Sequence, residues 1–140
     1  MSVYPDASVI LPTLVEEPFS AVVDDFLTHC DEPRLISEFA AAEVASALSR
    51  LVRMGLLQPG AAAELLADFD AWRAAASDNL DIKAADVRLA HVFVRRFDLR
   101  LRAPNALHAA ACQREDLLLA TRDRRLARAA EELGVRVRLV

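Results

Sequence analysis

The chain has little of what most catalytic and membrane signatures need. Its two cysteines, Cys30 and Cys112, lie far apart with no CxxC pairing. They read as small core residues rather than as a disulfide or a zinc site. Its three glycines are scattered, so no glycine-rich loop can cradle a phosphate. There is neither a GxSxG elbow nor an HExxH pair. The longest apolar runs are short and interrupted by Asp, Glu or Arg, so none is expected to span a bilayer. The opening MSVYPDAS lacks the basic-then-apolar order of a signal peptide, which points to the cytoplasm. Lysine is nearly absent: Lys83 is the only one, and every other basic side chain is arginine.

What is there is a folded composition. The 140 residues suit one domain, 1–140, around one core, and 54% are apolar. Net charge is only −4, but it is unevenly spread. Residues 1–85 carry 5 basic and 14 acidic side chains, and residues 86–140 carry 12 basic and 7 acidic ones. An acidic first part and an arginine-rich last part can place metal ligands and phosphate-binding groups on one molecule. A GC-rich coding sequence gives the same arginine excess.

Short strands are expected to alternate with helices along the whole chain. Strands are read at Ser2–Tyr4, Arg34–Ile36, Leu80–Ile82, Leu117–Ala120 and Val135–Val140. Helices are read at Ser8–Leu14, Ser20–His29, Ser37 to Met54, Gly60–Ala76, Lys83–Phe97, Pro104–Arg114 and Asp123–Leu133. In the second helix Ala21, Val22, Phe26 and Leu27 form the apolar face; in the fifth, Val87, Ala90, Val94 and Phe97 do. Gly55 and Gly134 stand where helices stop. The alternation predicts an α/β fold, a mainly parallel sheet flanked by helices on both faces.

In such a sheet ligands bind beyond the carboxyl ends of the strands. Asp6 and Asp123 stand at two such ends. Carboxylates converging there suit Mg²⁺ or Mn²⁺, which take oxygen ligands. Each also precedes a helix, where Asp is a preferred N-cap. Glu43 lies inside the nearly apolar run Phe39–Leu48, so it either faces solvent or is buried beside a positive partner. Asn105 follows Pro104 in the first turn of its helix, where it caps backbone donors or faces water. His108 shares its face and reads as a packed, hydrogen-bonded residue. Ser8 and Thr121 stand two residues from an acidic residue, which suits support of a metal site better than a nucleophilic role.

Four segments taken together resemble the PIN-domain family and, within it, the VapC-type toxins. They are Tyr4-Pro5-Asp6-Ala7-Ser8-Val9; Ser37-Glu38-Phe39-Ala40 leading to Glu43; Leu101-Arg102-Ala103-Pro104-Asn105-Ala106-Leu107-His108; and Ala120-Thr121-Arg122-Asp123-Arg124-Arg125-Leu126. Each is weak alone; their order and spacing are specific. The resemblance implies a three-layer sandwich with a sheet of about five short strands. It implies an acidic pocket holding Mg²⁺ or Mn²⁺ and hydrolysis of RNA phosphodiesters. By carry-over, Asp6, Glu43 and Asp123 take acidic positions and Ser8 and Thr121 supporting ones. Asn105 departs from the family, which usually has Asp there, and it stands with Asp6 and Asp123 in the implied metal set.

The implied partners are a cognate VapB-type antitoxin, a transfer or ribosomal RNA, and a second copy in a homodimer. Arg102, Arg122, Arg124 and Arg125 flank the site, where they meet RNA phosphates or simply solvate helix surfaces. An Asp-to-Asn exchange keeps shape and removes one charge, so weaker metal binding is expected. This leaves either a weakened nuclease or a catalytically dead PIN domain that grips antitoxin or RNA. A receiver-like signalling domain would need a lysine after a late strand, and Lys83 follows a middle one.

Overall fold

The computed structural model describes residues 1–140. Five strands alternate with seven helices: β1 Val3–Pro5, α1 Ala7–Leu14, α2 Ser20–Thr28, β2 Leu35–Ile36, α3 Glu38–Arg53, α4 Pro59–Ala76, β3 Asp78–Asn79, α5 Ala84–Val94, α6 Ala103–Glu115, β4 Leu118–Thr121, α7 Arg124–Glu132 and β5 Val137–Leu139. All strand pairs are parallel. β1 pairs with β4 in the register Val3–Leu118, Tyr4–Leu119 and Pro5–Ala120. β4 pairs in turn with β5, and β2 pairs with β3. The two sheets meet through one parallel bridge, Val3 to Arg34, where the Val3 N–H donates to the Pro33 carbonyl at 2.8 Å. The resulting order is β3-β2-β1-β4-β5. The chain leaves β1 toward one side for β2 and later returns to its other side with β4. The carboxyl ends of β1 and β4 therefore flank the point where the winding reverses, the usual ligand crevice of an open α/β sheet.

Side chains alternate across this sheet with a period of two. Tyr4 and Leu119 point into the large core, with Ile36, Phe69, Phe93 and Leu126. Val3 and Ala120 point the other way into a small cluster with Val9, Val23 and Leu27. The large face is covered by α3 to α7, the small one by α2, and α1 contributes Ile10 to one and Val9 to the other. Helix α6 is buried on most sides, from Ala106 through Cys112, which explains its small residues. Both cysteines are free.

Three elements differ from the sequence reading. The third strand is Asp78–Asn79, not Leu80–Ile82. Its ladder starts with Asp78 N–H on the Arg34 carbonyl, and Leu80 N–H on the Ile36 carbonyl ends it. Backbone pairing at a sheet edge selects the strand there, while Leu80 turns into the core. Helix α5 stops at Val94; a 3-10 turn, Phe97–Leu99, follows and ends at Arg100 with φ 55. Its buried face is Asp86, Ala90 and Phe93, leaving Val87 and Phe97 exposed. In α2 the inward face is Ser20, Val23 and Leu27, so Val22 is exposed. A polar residue inside the buried stripe shifts its phase away from the one that apolar residues alone mark.

That polar residue in α5 has a defined task. Asp86 is almost fully buried and receives two hydrogen bonds from Arg114 on α6, at 2.6 and 2.9 Å. The Lys83 N–H donates to it as well. Burial pushes its carboxyl up, but the Arg114 hydrogen bonds and charge pull harder, and the net shift is downward. A lowered carboxyl stabilises the fold above the ordinary carboxylate range, and the gain is lost as pH falls through its folded value. Arg114→Ala, which leaves the buried carboxylate without its partner, is expected to cost about 3 kcal/mol in urea unfolding at neutral pH. The deficit should shrink in acid as Asp86 protonates.

Candidate active site

Asp6 follows β1 directly, and its N–H continues the ladder onto the Ala120 carbonyl at 3.0 Å. Its side chain serves two purposes at once. Oδ1 caps α1, accepting from the Ser8 and Val9 N–H groups at 2.9 and 3.3 Å. Oδ2 accepts from the Thr121 hydroxyl at 2.6 Å. The Ser8 hydroxyl donates to Oδ1 at 2.5 Å and accepts the Arg122 N–H at 2.9 Å. The Thr121 hydroxyl likewise accepts the Asp123 N–H at 3.1 Å. Both hydroxyl protons are thus committed to Asp6, which gives Ser8 and Thr121 supporting places rather than nucleophilic ones. Burial pushes the Asp6 carboxyl above its usual range, and the Ser8 and Thr121 hydrogen bonds offset part of that rise.

Asp123 is divided in the same way. Oδ1 caps α7 through the Arg125 and Leu126 N–H groups at 2.9 and 3.0 Å. Oδ2 accepts from Asn105 Nδ2 at 3.1 Å. The capping and site readings of Asp6 and Asp123 are therefore compatible, because each carboxylate gives one oxygen to its helix and keeps the other for the site. Asp6, Ser8, Thr121, Asp123 and Asn105 form one hydrogen-bonded array.

Glu43 stands outside that array. It is partly exposed, and its Oε1 is bonded to His108 Nε2. His108 is buried on α6, with Tyr4 Oη 2.8 Å from its Nδ1. Tyr4 Oη is also 2.7 Å from Ser37 Oγ, which caps α3 by accepting the Ala40 N–H. One assignment of protons gives every group in this hydrogen-bonded chain a partner. Ser37 donates to Tyr4, Tyr4 donates to His108 Nδ1, and the Nε2–H donates to Glu43. Tyr4 and Ser37 were not foreseen as site residues. The available signal was a tyrosine in a strand buried on both faces, since a buried phenol hydroxyl needs a partner.

A cleft of about 740 Å³ opens beside the array, lined by Asn105, Asp123 and five arginines, Arg100, Arg102, Arg122, Arg124 and Arg125. Asp6 and Glu43 do not line it. The oxygen-rich donor set is of the hard kind that magnesium or manganese takes. No three carboxylate, imidazole or thiolate side chains gather at ligand spacing, so there is no preformed protein cage. Magnesium is commonly held by one or two carboxylates with water and substrate phosphate completing its shell. Asp123 Oδ2 and Asp6 fit that more open arrangement. Asn105 fits only by turning its amide oxygen inward, because the N–H now aimed at Asp123 cannot ligate.

A model of the PIN domain matches residues 3–132, and the chain belongs to that family. Solved structures share the fold over nearly its whole length. VapBC2 from Rickettsia felis, bound to a DNA fragment from its promoter, is 12% identical over 100% of this chain and 99% of that one, with a TM-score of 0.72. The sarcin-ricin loop cleaving toxin VapC20 of Mycobacterium tuberculosis is 13% identical over 91% and 94%, at 0.74. FitAcB from Neisseria gonorrhoeae is 21% identical over 96% and 95%, at 0.64. No curated protein sequence matches the chain. The sheet with helices on both faces is the PIN fold, and no helix is long and apolar enough to cross a membrane.

Two outcomes follow from these contacts. Tyr4→Phe strands the His108 and Ser37 polar atoms in the core and should cost about 1–3 kcal/mol in urea unfolding. Asp6 carries a raised folded pKa, so its contribution favours folding at low pH. That contribution is lost as pH rises from the ordinary aspartate range through the folded value. Thermal unfolding in EDTA from about pH 4 to 7 should show this loss, and Asp6→Asn should flatten it.

Proposed function

We propose that this chain is a toxin endoribonuclease of the VapC kind, hydrolysing RNA phosphodiester bonds with Mg²⁺ or Mn²⁺ and restrained by a cognate VapB-type antitoxin. The observation that carries the reading is the Asp6–Thr121–Asp123 array opening onto an arginine-lined cleft where the sheet reverses its winding. The VapBC and FitAcB structures of the same fold support an antitoxin partner, and the sarcin-ricin loop cleaving toxin of the same fold supports an RNA substrate. A transfer RNA has the same phosphate chemistry. The homodimer belongs to the same proposal, with exposed apolar helix surface as its contact.

A bound divalent cation would offset phosphate charge and favour attack by water. The chain's own residues do the rest. Asp6 and Asp123 present one oxygen each, fixed because the other is bound to a helix end. Ser8 and Thr121 hold Asp6 in place. Glu43, held by His108 outside the array, is linked through Tyr4 to the strand that leads into Asp6. Arg102, Arg122, Arg124 and Arg125 meet the phosphates on either side of the scissile bond.

One observation favours a second reading, a binding module without catalysis. The Asn105 N–H satisfies Asp123 Oδ2 directly, where two carboxylates at 3.1 Å would need a cation or a proton between them. Cleavage of total RNA with Mg²⁺ or Mn²⁺ separates the two. Asn105→Asp should cut at least about tenfold faster than the native chain, since even outer-shell changes at metal sites cost that much. EDTA or Asp6→Ala should abolish cutting by both. Activity that survives EDTA overturns the nuclease reading as stated. Failure of both forms to cut, with no calorimetric binding of Mn²⁺ by Asn105→Asp, establishes the binding module.

A further inference from the structure

Phe19 is a large apolar side chain left 54% exposed in the turn that leads into α2. It is not loose. The Arg122 guanidinium lies over one face of its ring, 4.2 Å from the centroid, a cation–π distance. Arg122 is itself mostly covered, pairs with Glu17 Oε2 at 3.4 Å, and donates its backbone N–H to Ser8 Oγ at 2.9 Å. Ser8 in turn donates to Asp6. The ring is therefore fixed to the carboxylate array through one arginine. Phe19 also lines the 740 Å³ cleft that contains Asn105 and Asp123.

We propose that Phe19, backed by Arg122, is a stacking subsite for one unpaired nucleobase next to the phosphate held at the Asp6–Asp123 site. The inference rests on the RNA-cleaving reading. A flat ring at the rim of a cationic cleft suits single-stranded nucleic acid, in which bases stack on aromatic faces while basic groups follow the backbone. The charged lining decides between this and an apolar protein segment. Five arginines and one carboxylate surround the cleft, a polyanion's environment. Arg122 serves both parts, covering the rear face of the ring and adding positive charge for the phosphate. Stacking of this kind tolerates any base, so the subsite selects for an unpaired nucleotide rather than a sequence.

Equilibrium binding tests this without catalysis. The native chain, Phe19→Ala and Phe19→Trp would be titrated into a labelled single-stranded RNA oligonucleotide, in EDTA so that nothing is cut. The same backbone bearing abasic sites serves as control, and the readout is fluorescence anisotropy. Phe19→Ala should weaken RNA binding by about 5- to 100-fold and leave abasic binding unchanged. Phe19→Trp should keep native affinity, with its indole emission quenched by RNA and not by the abasic strand. Equal affinities of native protein and Phe19→Ala for RNA, or an equal loss on both strands, overturns the stacking subsite and leaves the nuclease reading standing. Failure of the native chain to bind either strand overturns the stacking subsite and leaves the ring to an apolar segment of a protein partner, while the nuclease reading stands or falls on the cleavage assay with metal.

Discussion

Three parallel backbone pairings, Val3 with Leu118, Tyr4 with Leu119 and Pro5 with Ala120, hold together residues over a hundred positions apart. The Asp6 N–H extends that ladder to the Ala120 carbonyl and so places its carboxylate against the Thr121 hydroxyl. A one-residue slip would turn Tyr4 out of the large core, because side chains alternate across a strand. It would also move Asp6 off Thr121. Large side chains, Tyr4 and Leu119, thus fall on the large-core face and small ones, Val3 and Ala120, on the other; that match of size sets the register, and the register sets the site.

Around that pairing, helix ends do most of the positioning. Asp6, Ser37 and Asp123 each accept backbone N–H groups at the start of a helix. Capping usually stabilises by about 1 kcal/mol. Here it also orients, since a carboxylate with one oxygen held by two amides has little freedom left in the other. The raised Asp6 carboxyl shows the opposing cost, a buried negative charge that hydroxyls compensate only in part. At Asp123 the free oxygen instead accepts a neutral donor, the Asn105 amide.

The class of fold was legible because its signals are local. Strands bounded by Pro, Asp and helix caps, helices closed by Gly55 and Gly134, and the four segments in order led to a PIN domain, and the family match agrees. What misled was a rule that counts apolar residues only. Asp86 belongs to the buried stripe of α5, and Phe97 does not, because Arg114 from another helix makes a buried carboxylate tolerable there. β3 was misplaced for a related reason: an edge strand is chosen by the carbonyls of its neighbour, and Asp78 and Asn79 carry no apolar mark.

The sequence by itself determined which residue types stand at each strand end and helix start, since capping, turn chemistry and period-two burial act over a few residues. It also determined that position 105 carries an amide. Only the tertiary structure decided their company. Glu43 went to His108, Tyr4 and Ser37 rather than to Asp6 and Asp123, and Phe19 came under Arg122. Partners brought together by sheet register and helix packing leave no spacing rule in the chain, because the contacts that choose them lie between elements far apart in sequence.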